Sequence, residues 1–184
     1  MHYEIEQNYS LAENESGIIK VYKQKLPALR FIGKNYGCVN HPDWGDAFGT
    51  DVFGKIERAS GDEKKILTVY EDANAFLGLH YRNAEADGYD GWVGMFTFPD
   101  TPVPDGLGHI DFPEQNLGVC WIYGSRDEVY GHVSQCPDYL RSAGMEIRRA
   151  GEGYLGFFER DLCPRYTIPD EKGNIILDYC YFVK

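Results

Sequence analysis

The stretch Leu77-Gly78-Leu79-His80-Tyr81-Arg82-Asn83 returns 78 residues later as Leu155-Gly156-Phe157-Phe158-Glu159-Arg160-Asp161, with four of the seven positions identical or nearly so. A repeat constrains the fold more than any single motif in this chain, because each copy should bring the same neighbours with it. In the first half, IIKVYKQKLPALRFIGKNYG reads as two β-rich segments broken near Pro27. DWGDAFGTDVFGKIERA then sets Trp44, Phe48, Val52 and Ile56 four apart. That is the apolar stripe of a helix N-capped by Asp43, with Gly49 and Gly54 as weak points. ILTVY, FLGLHYR and GWVGMFTF follow as antiparallel strands.

Beyond the proline-rich bridge at 99–106 the order recurs. GHIDFPEQNLGVCWIYGS is strand-like, RDEVYGHVSQCPDYLRSAG is helix-like with Pro137 splitting it, and YLGFFERD and NIILDYCYFVK are again strands. Phe31-Ile32-Gly33 and Ile122-Tyr123-Gly124 close the segment before each helix alike. The expectation is an α+β fold over 1–184, made of duplicated strand-helix-strand-strand units at about 17–98 and about 107–184. These units form antiparallel sheets, with a ligand cleft expected at their pseudo-two-fold seam. Tyr81 and Glu159 then hold equivalent places on its two sides.

Eighteen Lys and Arg against 29 Asp and Glu leave a net charge of −11, which repels phosphate backbones and anionic lipid, so direct nucleic-acid binding is not expected. No run approaches the roughly 20 apolar residues of a membrane helix. The polar start MHYEIEQNYSLAENES has neither the basic nor the apolar segment of a signal peptide. Cys38, Cys120, Cys136, Cys163 and Cys180 are scattered without a CxxC and read as reduced thiols. A cytoplasmic location is therefore expected, and the sequons at Asn8 and Asn14 carry no weight.

Gly151, Gly153 and Gly156 spell GxGxxG, but a strand follows where a dinucleotide loop needs a helix, so they read as a glycine-rich turn. The five histidines lack metal-ligand spacing and no GxSxG occurs; neither a metal nor an organic cofactor is expected.

Glu159 lies in a strand otherwise built of Leu155, Gly156, Phe157 and Phe158. On a two-residue period it shares a face with Leu155 and Phe157, while Phe158 and Arg160 share the other. Either that face is inward and the carboxylate sits in apolar company, or it is solvated and pairs with Arg160 or Lys172. An inward carboxylate left ionised among aromatic rings attracts flat lipophilic cations; one nearer neutrality serves as a general acid or base.

The element order, the passage into YLGFFERD and the closing NIILDYCYFVK resemble the GyrI-like small-molecule-binding domains, over nearly the whole chain after about Gly17. That family includes ligand-sensing domains of multidrug-responsive regulators, gyrase inhibitors, and stand-alone proteins that hydrolyse cyclopropane-bearing DNA-alkylating natural products. Its cleft glutamate, on the strand after the second-half helix, matches Glu159. The resemblance implies a cofactor-independent detoxifying hydrolase in which Glu159 positions water and Tyr81, equivalent through the repeat, donates a proton to the carbonyl oxygen. Trp44, Trp92, Trp121, Tyr123, Phe157 and Tyr179 are the expected aromatic walls for a lipophilic aromatic guest. The alternatives are a module that sequesters lipophilic cationic compounds, and an acidic protein that docks on gyrase. Only about sixteen polar residues precede the first expected strand, too few for the helix-turn-helix of the regulators, so the chain is expected to act alone or through a protein partner.

Overall fold

The computed structural model describes residues 3–13, 15–61, 66, 68–83, 88–148 and 156–184. His2, Asn14, Gly151, Gly153, Tyr154 and Leu155 lie outside the described residues. Among the described residues there are nine strands: β1 Glu4–Asn8, β2 Gly17–Leu26, β3 Leu29–Asn35, β4 Ala75–Asn83, β5 Gly88–Thr97, β6 Gly108–Phe112, β7 Gln115–Gly124, β8 Gly156–Leu162 and β9 Ile175–Val183. The helices described are α1 Trp44–Gly49, α2 Val52–Ala59, α3 Arg126–Val129, a 3-10 helix Tyr130–Gln135 and α4 Cys136–Ser142. The architecture is α+β with antiparallel ladders, as the alternation of strand and helix signals requires. No helix among the described residues is long and apolar enough to cross a membrane.

Two compact units can be distinguished, one from the described parts of 26–115 and 155–158, the other from those of 1–25, 116–154 and 159–184. In the first, the strand order is β4-β5-β3-β6. Gly33 and Gly94 face each other across β3 and β5, and a Cβ on Gly94 would stand 2.0 Å from the Ile32 carbonyl oxygen, so the two backbones approach as only glycine allows. α1 and α2 cover one face, where Val52, Phe53 and Ile56 meet Ile32, Val93 and Met95. Asp43 caps α1 as the sequence predicts, accepting from the Asp46 N–H at 2.8 Å. The single helix expected there is two, because Asp51 takes a left-handed conformation (φ 56°) between them, and the stripe breaks: Phe48 is 56% exposed. ILTVY is no strand either. Ile66 and Val69, three apart, are both buried, and Thr68–Tyr70 turn rather than pleat; Leu67 lies outside the described residues.

In the second unit the order is β1-β2-β7-β9-β8. α3, the 3-10 helix and α4 cover one face, packing Val129, Cys136 and Leu140 on Cys120, Ile122 and Leu177. Ser125 and Glu128 close a capping box at the start of α3. Pro137 splits the helical stretch as expected, but by opening α4 in its first turn, where a missing N–H costs nothing. β1 went unread in the sequence because every one of its residues is exposed, leaving no hydrophobic alternation to find; it pairs with β2 ahead of the first strand expected.

Candidate functional site

β8 passes through the second unit with strict alternation: Arg160 and Leu162 are buried, Glu159 and Asp161 half-buried. On the buried face the Arg160 guanidinium is fully enclosed and fully engaged. Its Nε and Nη2 donate to Asp178 Oδ2 at 2.9 and 2.6 Å, Nη1 to Gln24 Oε1 at 2.9 Å, and Nη2 also to the Tyr22 hydroxyl at 3.0 Å. Asp178, itself fully buried on β9, is forked by a second arginine, with Arg165 Nε donating to Oδ1 at 2.8 Å. Glu159 and Arg160 stand on opposite faces of the strand.

Glu159 and Asp161 face the helical side. Tyr130 of the 3-10 helix and Tyr166 of the turn after β8 share a hydroxyl–hydroxyl hydrogen bond of 3.0 Å. Desolvation first, and then the negative charge of the acidic pair, pushes both phenols up from their ordinary range. Arg126, on α3, lies with its guanidinium 4.8 Å from the Tyr166 ring centre and donates to the Tyr166 carbonyl at 3.2 Å. Asp161 Oδ1 is shut off from solvent and has no hydrogen-bond partner among the described residues. The residue as a whole is only half-buried, but Oδ1 is dry, and desolvation followed by the Glu159 charge pushes that carboxyl up to about 8 against the smaller opposing pull of Arg126. At pH 7 Asp161 is thus largely neutral, a hydrogen-bond donor beside a second carboxyl group.

The expected aromatic walls are dispersed. Tyr179 of β9 packs on the helical side, tilted against Tyr181 at 5.8 Å, and so shares a sheet face with Glu159 and Asp161. Trp121 stands on the opposite face with Arg165 at 4.6 Å and Lys20 at 4.8 Å from its ring centre, its indole N–H donating to Tyr22 at 3.3 Å; its ring is engaged by the protein's own cations. Tyr123 donates to Asp170 at 2.7 Å and lines a separate cleft of about 360 Å³ with Leu11, Ile19 and Lys172. Within the other unit, Phe157 stacks on His80 at 4.8 Å and meets Tyr89 edge-on at 5.6 Å. Tyr81 is edge-on to Phe112 at 6.0 Å, Trp44 stacks on Phe48 and Phe53 at 6.3 Å each, and Trp92 is edge-on to Phe31 at 6.2 Å. The Trp92 indole N–H is buried without an acceptor among the described residues.

A larger cleft of about 680 Å³ opens beside α4, lined by Pro137, Arg141, Met145, Ile147 and Tyr181 among others, a size that suits a drug-like molecule. Through the Tyr179–Tyr181 contact it shares the sheet face of the acidic pair, although neither carboxyl group lines it. No group of three His, Cys, Asp or Glu side chains among the described residues could hold a metal ion. Sequence reading missed Asp161, Tyr130, Tyr166 and Arg126. The first was within reach, since the period that singles out Glu159 places Asp161 next on the same face; the others come together only through the helix and turn geometry.

No family model and no curated protein matches the chain. Among solved structures it is similar to a Staphylococcus aureus protein described as acting in bacterial transcription regulation, at 14% identity over 89% of this chain and 97% of that one, with a TM-score of 0.53. It is also similar to a hydrolase from Listeria innocua, at 10% identity over 89% and 91% with a TM-score of 0.53. EcmrR in its complex with DNA aligns at 9% identity over 89% of this chain and 57% of that one, with a TM-score of 0.50. At such identities the likeness is one of fold, and this fold serves proteins named for hydrolysis as well as for regulation.

Proposed function

We propose that this chain is a small-molecule-binding protein of the GyrI-like kind, built on a duplicated unit, that takes a lipophilic guest against the sheet face presenting Glu159 and Asp161. One observation carries the proposal: two carboxyl groups stand side by side on a half-buried face, enclosed by phenols, with Asp161 Oδ1 dry and unsatisfied by the described protein groups. A fold holding itself together has no need of that arrangement, which costs stability unless a partner satisfies it. The Tyr130–Tyr166 pair and Tyr179 supply the aromatic part, and the neighbouring 680 Å³ cleft supplies the room.

A hydrolytic use of the same site is the second reading, favoured by the half-buried setting of the acidic pair, since partial desolvation raises the basicity of a carboxylate there. In it Glu159 takes a proton from water as the water oxygen bonds to the strained carbon of a cyclopropane conjugated to a dienone. The electron pair of the breaking ring bond runs to the carbonyl oxygen, which receives a proton from a neighbouring donor, so that the product is substrate plus water. The fold shared with a protein named a hydrolase is compatible with this reading, as the fold shared with a regulation protein is with simple binding.

The test incubates the purified protein with a panel of cyclopropanoid and planar cationic compounds and follows both binding and product mass. Binding that weakens at least tenfold in Glu159→Gln supports the site. A gain of one water on a ligand, lost in Glu159→Gln with binding kept, establishes turnover. Binding and turnover both unchanged in Glu159→Gln would overturn the assignment.

A further inference from the structure

Asp161 sits where five other titratable or charged groups converge from five segments of the chain. Glu159 stands two residues back on the same face, Asp178 contributes negative charge from β9, Arg126 comes from α3, Tyr130 from the 3-10 helix and Tyr166 from the turn after β8. None of them donates to Oδ1. Arg126, the one cation among them, is exposed and committed to the Tyr166 ring and carbonyl. The Tyr130 and Tyr166 hydroxyls are spent partly on each other. Asp178 is held by two arginines on the opposite face. Arg126 is the cation that opposes the proton on Asp161, and it is exposed to solvent. A carboxyl with one oxygen shut off from solvent beside a second carboxyl is more stable with its proton, and a protonated carboxyl is a donor for an acceptor oxygen.

We propose that Asp161 is the specificity-determining residue of this site: in its protonated form it donates a hydrogen bond to an acceptor oxygen of the guest, so that near neutral pH the site selects uncharged lipophilic molecules carrying a conjugated carbonyl over permanent cations. The inference rests on the binding reading above and names the ligand class that reading leaves open. It inverts the expectation attached to an acidic pocket, because the pair carries less negative charge than its composition suggests. When Asp161 ionises, the donor is lost, a second negative charge appears beside Glu159, and the preference reverses toward cations. Desolvation and the Glu159 charge, the two largest influences on this carboxyl, both hold the proton on, to about pH 8.

Two dyes test this. Nile red is neutral with a conjugated carbonyl acceptor, and thioflavin T is a permanent aromatic cation; each is titrated by fluorescence at pH 6.5 and 9.5, with circular dichroism confirming the fold at both. In the wild-type protein Nile red affinity is expected to fall roughly tenfold between the two pH values, the equivalent of about 1.4 kcal/mol, while thioflavin T affinity rises. Asp161→Asn keeps a donor at every pH, so both dependences flatten while Nile red stays within about threefold of its wild-type affinity at pH 6.5. Glu159→Gln removes the neighbouring charge and moves the wild-type midpoint to lower pH without abolishing it. A pH dependence that survives unchanged in Asp161→Asn, or a wild-type preference for thioflavin T at pH 6.5, overturns this inference and leaves the binding reading standing. Failure of both dyes to bind at either pH overturns both.

Discussion

Arg160 and Asp161 are neighbours in the chain and opposites in circumstance. The arginine is wholly buried, yet each of its three nitrogens finds an acceptor in Asp178, Gln24 or Tyr22. The aspartate is only half-buried, yet one of its oxygens finds no donor. Burial alone thus says little about which charge is structural. What distinguishes them is satisfaction: the enclosed arginine is part of a closed hydrogen-bond network that defines the unit, whereas the acidic group is left short by the described protein groups, as a group meant for something else would be.

The comparison breaks most visibly from the arginine side. Arg160→Met leaves Asp178 in a fully buried position with one of its two guanidinium partners gone. The loss is expected to be about 3–5 kcal/mol, the usual cost of breaking a buried pair. In a thermal melt that lowers Tm by roughly 6–20 °C for a chain of this length. A shift under 3 °C would mean that Arg165 alone satisfies the aspartate.

Asp161→Asn should act in the other direction. Because the folded carboxyl titrates near 8, well above its unfolded value, the folded state holds a proton that the unfolded state gives up from about pH 4 upward. Asp161 therefore subtracts stability progressively as pH rises from about 4 to 8, and no further above that. The difference in Tm between Asp161→Asn and wild type should widen across this window in favour of the variant and then level off. A difference that stays constant from pH 4 to 9 would show that the carboxyl titrates normally.

Tyr130→Phe sharpens the contrast at the smallest scale. It removes one partner of the exposed Tyr130–Tyr166 hydrogen bond, and the cost to folding should stay near 1 kcal/mol or below. If guest affinity falls more than stability does, the phenol pair belongs to the site rather than to the frame.

The strands with one face inward were the most legible in the sequence. β4, β5, β7 and β9 fall where apolar runs and their punctuation place them, and Asp43 and Pro137 mark helix starts through local chemistry that needs no tertiary context. β1, with nothing buried, offered no pattern. The break at Asp51 and the turn at Thr68–Tyr70 arise from tertiary packing that overrides a plausible local period. For the site, alternation identifies the faces of β8 but not their contents. The partners of Trp121 come from Lys20 and Arg165, far apart in the chain, so an aromatic that reads as a wall for a guest is already covered by the protein's own cations. Asp161 shows the opposite failing: its position was visible, and what makes it unusual, a dry oxygen without a donor, exists only in three dimensions.

The start of β8 bears on all of this. At Gly156, whose φ is +121°, a Cβ would sit 1.8 Å from the carbonyl oxygen of His80, so that point admits no side chain. Sliding the strand by a single step would bring Phe157 into the spot and exchange the two rows of side chains, sending the guanidinium of Arg160 toward the helices and the acidic groups into the sealed interior. One missing methyl group works as a ratchet pawl, and the polarity of the whole strand depends on its staying absent.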